Sequence, residues 1–189
     1  FQGNYPDART AAEQGMIDAD APFQSLHSLQ ADNFFWQQYG NGRTQAVADY
    51  RFHDYLTADP AEASRVPLDS LLGMDSTRYY YQGKYPSQDS PIPFITWQEN
   101  ELMLAELDLR DSDAPAAVGR INAVRTSHGI PGLGTADMQT LIAERDKELC
   151  FTGIRLADQR RFDLWHLSEG TWQYFPIPER ERNANENIE

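Results

Sequence analysis

Three apolar patterns with helical spacing follow one another between Trp97 and Leu149, separated by links that carry glycine, proline or aspartate. No feature restricts the fold more. Amphipathic helices joined by short links must fold back on one another to bury their stripes. "WQENELMLAELDLR" (Trp97–Arg110) carries Glu early and Arg late, as the helix macrodipole favours. In "DSDAPAAVGRINAVRTSHG", Val118, Ile121 and Val124 recur every third residue, and Gly129 is placed for a C′ cap. After the loop "GIPGLG", Thr135 is expected to cap a third helix, in which Met138, Leu141, Ile142, Arg145 and Leu149 share a face. Gly153 is expected to end it, and residues 154–167 to form a short helix or helical turn. The expected fold is mainly α, built of tetratricopeptide-like helix pairs, although no strict 34-residue repeat occurs.

The N-terminal half reads differently. "NYPDARTAAEQGMI" (Asn4–Ile17) has good helix formers, a small-residue face and Pro6 in a tolerated first-turn position. From Asp18 to Asp89 no single period holds. Aromatics are dense there, and Gly40, Gly42, Pro60, Pro67, Gly73, Gly83 and Pro86 interrupt the chain. Short helices and loops are expected, with a strand pair around "STRYYYQGKY". The tail "TWQYFPIPERERNANENIE" reads as extended, proline-braced and polar at its end.

Charge and motif content exclude several functions. The 189 residues carry a formal charge of −13, which argues against nucleic acid, because phosphate binding needs clustered positive charge. No apolar run approaches the ~18 residues of a membrane span. The one cysteine, Cys150, lies in an amphipathic helical pattern and reads as a buried, inert thiol. His27, His53, His128 and His166 stand far apart, so no metal and no cofactor is expected. "DLRDSDAP", with Asp108, Asp111 and Asp113, lacks the glycine and closing Glu of a calcium loop and reads as a helix-capping loop. No P-loop, dinucleotide fingerprint or nucleophile motif occurs.

The stretch "LIAERDKELCFTGIRLADQRRFDLWHL" interleaves acids and bases. Glu144, Glu148, Asp158 and Asp163 could supply the carboxylate pair of a glycosidase. Nearly all of them, however, have a cation three or four residues away. Asp158, for one, lies three from both Arg155 and Arg161. Such pairing keeps acids ionised and suits a structural brace. The brace is expected to comprise Glu144, Arg145, Glu148, Gly153, Arg155, Asp158 and Arg161, and no catalytic residue is expected.

The aromatic region offers the candidate ligand contacts. Tyr and Trp present flat apolar faces with polar edges, which suits sugar rings; the same residues could equally fill a core beneath long loops. Trp36 and Tyr39 lie three apart, on one face if helical. Arg43 follows two glycines and could hydrogen-bond hydroxyls or a carboxylate. In an extended "RYYYQ", Tyr79 and Tyr81 point to one side and Tyr80 to the other; the pattern leaves open which side faces ligand.

Several ordered motifs carry a family resemblance. "LIAERDKELCFTGIRLADQRRF" resembles the E-R-x-x-E-L-x-F-E-G-x-R-x-x-D-L-x-R-W signature of the SusD/RagB family, matching at Glu144, Arg145, Glu148, Leu149, Phe151, Gly153, Arg155, Asp158 and Arg161. "FITWQENELMLAELDL" and "AAVGRINAVRTSHGIPGL" resemble two upstream family helices, and "YFPIPERERNANENI" resembles the closing segment. "TADPAEASR", "YYYQGKY" and "GNYPDARTAAEQGM" are similar to its weaker elements. Thr152, Gln159 and Glu186 depart from the pattern.

The resemblance implies a non-enzymatic, surface-exposed lipoprotein of the bacterial outer membrane. Such a protein would bind an oligosaccharide or peptide nutrient and pass it to a SusC-like TonB-dependent transporter. It also implies that residues 1–189 are the C-terminal part of a longer SusD-like domain, with the lipid anchor upstream. Within it, residues 1–17 would be a repeat helix, 18–93 a variable loop region and 94–189 the helical C-terminal region. The rival reading from the residues alone is a helical-repeat scaffold for protein partners.

Overall fold

The structure, a computed structural model of the chain, describes residues 3–39, 48–164 and 178–184. Two units divide at Arg155, the first Phe1–Arg155 and the second Leu156–Glu189.

The first unit is organised around α4 (Trp97–Arg110), α5 (Ala114–Ser127) and α6 (Met138–Glu148). The ends of α4 follow from its sequence. Thr96 Oγ1 accepts from the Glu99 amide at 3.1 Å, Glu99 sits in the first turn and Arg110 in the last. Asp113 caps α5 by accepting from the Ala116 amide, and Pro115 occupies its first turn. Gly129, at φ +72°, closes α5 in a Schellman motif: its N–H reaches Thr126 O at 2.9 Å, and Ile130 N–H reaches Arg125 O at 3.0 Å. The two helices form a hairpin, and α6 packs on α4. Leu102, Ala105, Ala117, Ile121, Val124 and Leu141 make the buried cluster between them, with Trp97 packed at its side.

Helix α1 (Tyr5–Glu13) lies along α4, where Ala12 joins Leu104 and Leu107. It stops at Glu13, short of the expected Ile17. The Asn100 amide takes over there, donating to Ala12 O at 2.9 Å and Met16 O at 3.0 Å. Gly15 permits that approach, since a Cβ at that position would come within 2.6 Å of the Asn100 side chain.

The aromatic region holds more order than the broken pattern suggests. It contains α2 (Phe34–Tyr39), α3 (Tyr50–Ala58) and a 3-10 turn at Pro60–Ser64. The expected strand pair exists as an antiparallel hairpin of β2 (Leu68–Leu72) and β3 (Arg78–Gln82), with Ser70 opposite Tyr80. A second small sheet pairs β1 (Phe23–Ser25) with β4 (Ile92–Ile95). Three-residue β1 is too short to leave an alternating signature, so loop was expected there. A second buried cluster, Ala48, Phe52, Val66 and Cys150, underlies the hairpin. The fold is thus helical with two added two-stranded sheets.

Two termini differ from the sequence reading. Asp137, not Thr135, caps α6, because its Oδ1 accepts both the amide and the hydroxyl of Thr140, at 2.8 and 2.7 Å. Helix α6 ends at Glu148, not Gly153. Phe151 at φ +56° makes the first reversal, and Gly153 at φ +90° a second one before α7 (Arg155–Arg161). In the second unit, α7 closes with Asp163 at φ +55° and Leu164 N–H on Gln159 O at 2.7 Å. Residues 179–184, expected to be extended, form α8 (Glu179–Ala184). The rest of the tail lies outside the described residues.

Candidate ligand-binding site

The interleaved charges of α6 look inward, onto residues distant in sequence. Glu144 accepts Arg65 Nη2 at 2.6 Å, Arg125 Nη1 at 2.9 Å and Lys147 Nζ at 2.9 Å. Glu62, from the 3-10 turn, takes Arg65 Nε at 2.6 Å and Lys147 Nζ at 2.8 Å. Burial alone would raise the Glu62 carboxyl, but the hydrogen bonds from Arg65 and Lys147 outweigh it and hold the group at about 2. Burial opposes ionisation of Glu144 too, and the charge of Arg65 with the Lys147 hydrogen bond again prevails, lowering its pKa. Carboxylates so held are poor proton donors at neutral pH, which is unlike a glycosidase acid. Of the expected cluster, Glu144 lies at the centre of this network and Glu148 borders it through Arg65. Glu62, Arg65 and Arg125 were not singled out, although all lie in the quoted segments "TADPAEASR" and "INAVR". Arg145 is buried and partnered.

Arg155 joins a different centre. It donates to Asp146, which also accepts Arg51 Nε at 2.6 Å and the Tyr55 hydroxyl at 3.0 Å. Asp158 accepts Arg161 at 3.0 Å within α7. Asp108 pairs with Arg9 at 2.9 Å and Arg120 at 2.7 Å, and Asp111 with Arg9, so the aspartate-rich loop is spent on ion pairs and capping. Among the described residues no cluster of His, Cys, Asp or Glu could hold a metal ion. Burial pushes the Cys150 thiol up to about 11, far from a thiolate at neutral pH.

The candidate aromatics divide. Helix α2, which carries Trp36 and Tyr39, packs on β3. Tyr80 turns onto α3, with ring centres 4.3 Å from His53 and 5.6 Å from Tyr50, and packs on the second cluster. Tyr79, on the opposite side of β3, donates its hydroxyl to Asp75 at 2.8 Å. Tyr81 and Trp36 are half-buried. The side chain of Tyr39 and the whole of Arg43 lie outside the described residues.

A cleft of about 530 Å³ opens elsewhere in the first unit. Trp97 and Gln98, at the start of α4, form one wall, with Gln24 of β1 and Pro93 of β4 beside them. His128, Glu148 and Arg65 line it together, and Lys84 and Asp20 are the other charged residues of the lining. Lys84 Nζ is held by the carbonyls of Glu148 and Cys150, at 3.3 and 3.2 Å, where it caps α6. The sequence reading assigned Trp97 and His128 to helix ends and saw no ligand role. Their spacing of 31 positions holds no signal until α4 and α5 fold back together.

No protein-family model matches the sequence, and no curated protein matches it. Solved structures do match in fold. A Bacteroides vulgatus protein assigned as sugar-binding superposes with a TM-score of 0.70 at 21% identity, over 98% of this chain and 49% of its own. A SusD superfamily protein from Bacteroides vulgatus gives 0.58 at 15% identity, covering 84% and 39%. Surface glycan-binding protein A from Bacteroides uniformis gives 0.54 at 18%, covering 70% and 38%. The chain therefore has a SusD-like fold and spans less than half the length of these proteins. All three carry names of binding proteins or of the SusD superfamily, and none is named as an enzyme. Among the described residues no helix is long and apolar enough to cross a membrane.

Proposed function

We propose that the chain is the C-terminal part of a glycan-binding protein at the bacterial cell surface. Such a protein would capture an oligosaccharide and hand it to a SusC-like TonB-dependent transporter of the outer membrane. The observation that carries this reading is the SusD-like fold, which extends over 98% of the chain against a protein assigned as sugar-binding. The helix pairs would then stack as tetratricopeptide-like repeats. The charge network around Glu62 and Glu144 would brace them, Arg155 on Asp146 would add a second tie, and Asp158 with Arg161 would support α7. Trp36, Tyr39, Arg43, Tyr79 and Tyr81 would contribute a ligand-facing aromatic surface, with Tyr80 packed beneath it. Ion-paired carboxylates support binding without hydrolysis.

The test is a glycan-array and peptide-library screen of the full-length protein, followed by calorimetry on the hits and product analysis after incubation. Saturable binding of oligosaccharide without new reducing ends is expected. Binding of peptide alone would replace the ligand class. Binding of proteins alone would favour the helical scaffold, and released sugar would make the protein an enzyme. Co-purification of a TonB-dependent transporter with the tagged protein from its own membranes tests the partner.

A further inference from the structure

We propose that the cleft between Trp97 and His128 is a binding site for a neutral sugar unit, separate from the aromatic surface of α2 and β3. The proposal rests on the glycan reading above and adds to it a location and a ligand charge.

The cleft has the size and composition for this. Its volume of about 530 Å³ falls within the roughly 300–1,000 Å³ of small-molecule sites. Trp97 offers an indole held in place by the helical core. Such a ring presents a flat face to the C–H side of a sugar and an N–H to its edge. Gln24 and Gln98 beside it carry both donors and acceptors, as a polyol requires.

His128, Glu148 and Arg65 carry the sharper observation. His128 Nε2 faces Glu148 Oε2 at 2.9 Å, and neither atom makes a further hydrogen bond. Arg65 Nη1 is buried too, 3.9 Å from the same Glu148 oxygen and without a hydrogen bond. The Glu148 side chain is only 9% exposed and that of Arg65 only 1%. An imidazole, a carboxylate and a guanidinium whose hydrogen-bonding capacity is not filled thus gather among the residues lining the cleft, which favours a ligand group that can both donate and accept. A hydroxyl fits this environment. Its oxygen accepts from Arg65 or His128 while its hydrogen goes to Glu148. A carboxylate or sulfate has no hydrogen for Glu148 and would face its charge. The basic and acidic side chains that line the cleft also balance in number, Arg65 and Lys84 against Asp20 and Glu148, so no excess of positive residues selects an anion.

The experiment uses the full-length protein with cello-, xylo-, malto- and mannohexaose as neutral probes and oligogalacturonate as the anionic one. Calorimetry is run on the parent, Trp97→Ala, Gln98→Ala and His128→Gln. Trp97 also packs on the core, so Gln98→Ala and His128→Gln keep the result readable if Trp97→Ala fails to fold. The ring ¹H–¹⁵N signals of His128, assigned by its loss in His128→Gln, report occupancy directly. The expected result is binding of at least one neutral hexaose with movement of the His128 signals. Affinity should fall roughly tenfold in Trp97→Ala and several-fold in the other two. A hexaose that binds all three variants like the parent, without moving the His128 signals, overturns the cleft site and leaves the glycan reading standing. Preference for oligogalacturonate overturns the neutral ligand. Binding of no oligosaccharide removes the cleft proposal together with the glycan reading.

Discussion

Arg65 and Glu144 meet at 2.6 Å although 79 positions separate them, and their side chains are 1% and 3% exposed. The pair ties the 3-10 turn below the hairpin to α6, and Arg125 and Lys147 extend it to α5 and along α6. A buried ion pair contributes little relative to an apolar replacement, but one partner left alone is costly. Arg65→Met should therefore lower stability by about 3 kcal/mol, because Glu62 and Glu144 lose the guanidinium that bridges them and keep only Lys147 and Arg125. Urea unfolding of the two proteins measures it. A loss within the error of the extrapolation would show that the network is not a brace.

Acid should undo the same network. Folding lowers the Glu62 pKa from its ordinary 4.5 to about 2, so the unfolded chain takes up this proton first. The resulting stability is complete above about pH 4.5 and disappears as pH falls through 2. One carboxyl held this low contributes on the order of 1–3 kcal/mol. Glu62→Gln should lose that amount at pH 7 and show a flatter decline between pH 4.5 and pH 2. Parallel pH curves for parent and variant would mean that Glu62 titrates normally.

Sequence spacing alone would assign Arg155 to Asp158, three positions on. The structure gives it Asp146, which also binds Arg51 and Tyr55. Asp146→Ala takes a partner from two arginines and a half-buried hydroxyl at once, and should cost about 2–4 kcal/mol. Asp158→Ala removes one partner of Arg161 within α7 and should cost less, about 1 kcal/mol. Thermal melts of both variants decide the order; a larger loss for Asp158 would return the brace to α7.

The difference between those two aspartates shows what the sequence could carry. Helices α4 and α5 are legible almost to the residue, because periodicity, Thr96, Asp113 and Gly129 are all local signals. Helix α6 was legible in its face but not in its cap, since Thr135 and Asp137 are both good cap residues and only folded geometry chooses between them. The partners of Glu144 were not legible, because an ion pair across 79 positions leaves no periodic trace. The cleft was hidden for the same reason: Trp97 and His128 each have a sufficient local explanation, at the first and last turns of two helices.

Gly153 sits at φ +90° with open space where a Cβ would go. Replacement there meets no neighbour, so its cost is backbone strain alone. Gly153→Val should destabilise by about 1–2 kcal/mol, and Gly153→Asn by less, because Asn tolerates positive φ better. Equal melting temperatures for Val, Asn and parent would place the reversal elsewhere, at Phe151.

The aromatic surface separates into residues that hold the fold and residues that can meet a glycan. Tyr80 stacks on His53 and packs against the cluster of Phe52 and Val66, so Tyr80→Ala should cost roughly 1–3 kcal/mol of stability. Trp36 and Tyr81 are half-buried and lie outside the three buried core clusters of the described residues. Trp36→Ala and Tyr81→Ala in the full-length protein should melt within a few degrees of the parent. If α2 and β3 face the ligand, each should weaken oligosaccharide binding several-fold to tenfold, as removal of one stacked ring of about 1 kcal/mol does. Calorimetric titration with the hexaose that binds the parent reads this directly. The two surfaces give different patterns. Contact at α2 and β3 makes binding sensitive to Trp36 and Tyr81 and leaves the His128 signals in place when ligand is added. Contact at the cleft does the reverse, and a glycan long enough to span both makes every one of these substitutions count. Parent-like binding by Trp36→Ala and Tyr81→Ala, both folded, would remove the aromatic surface as a ligand site.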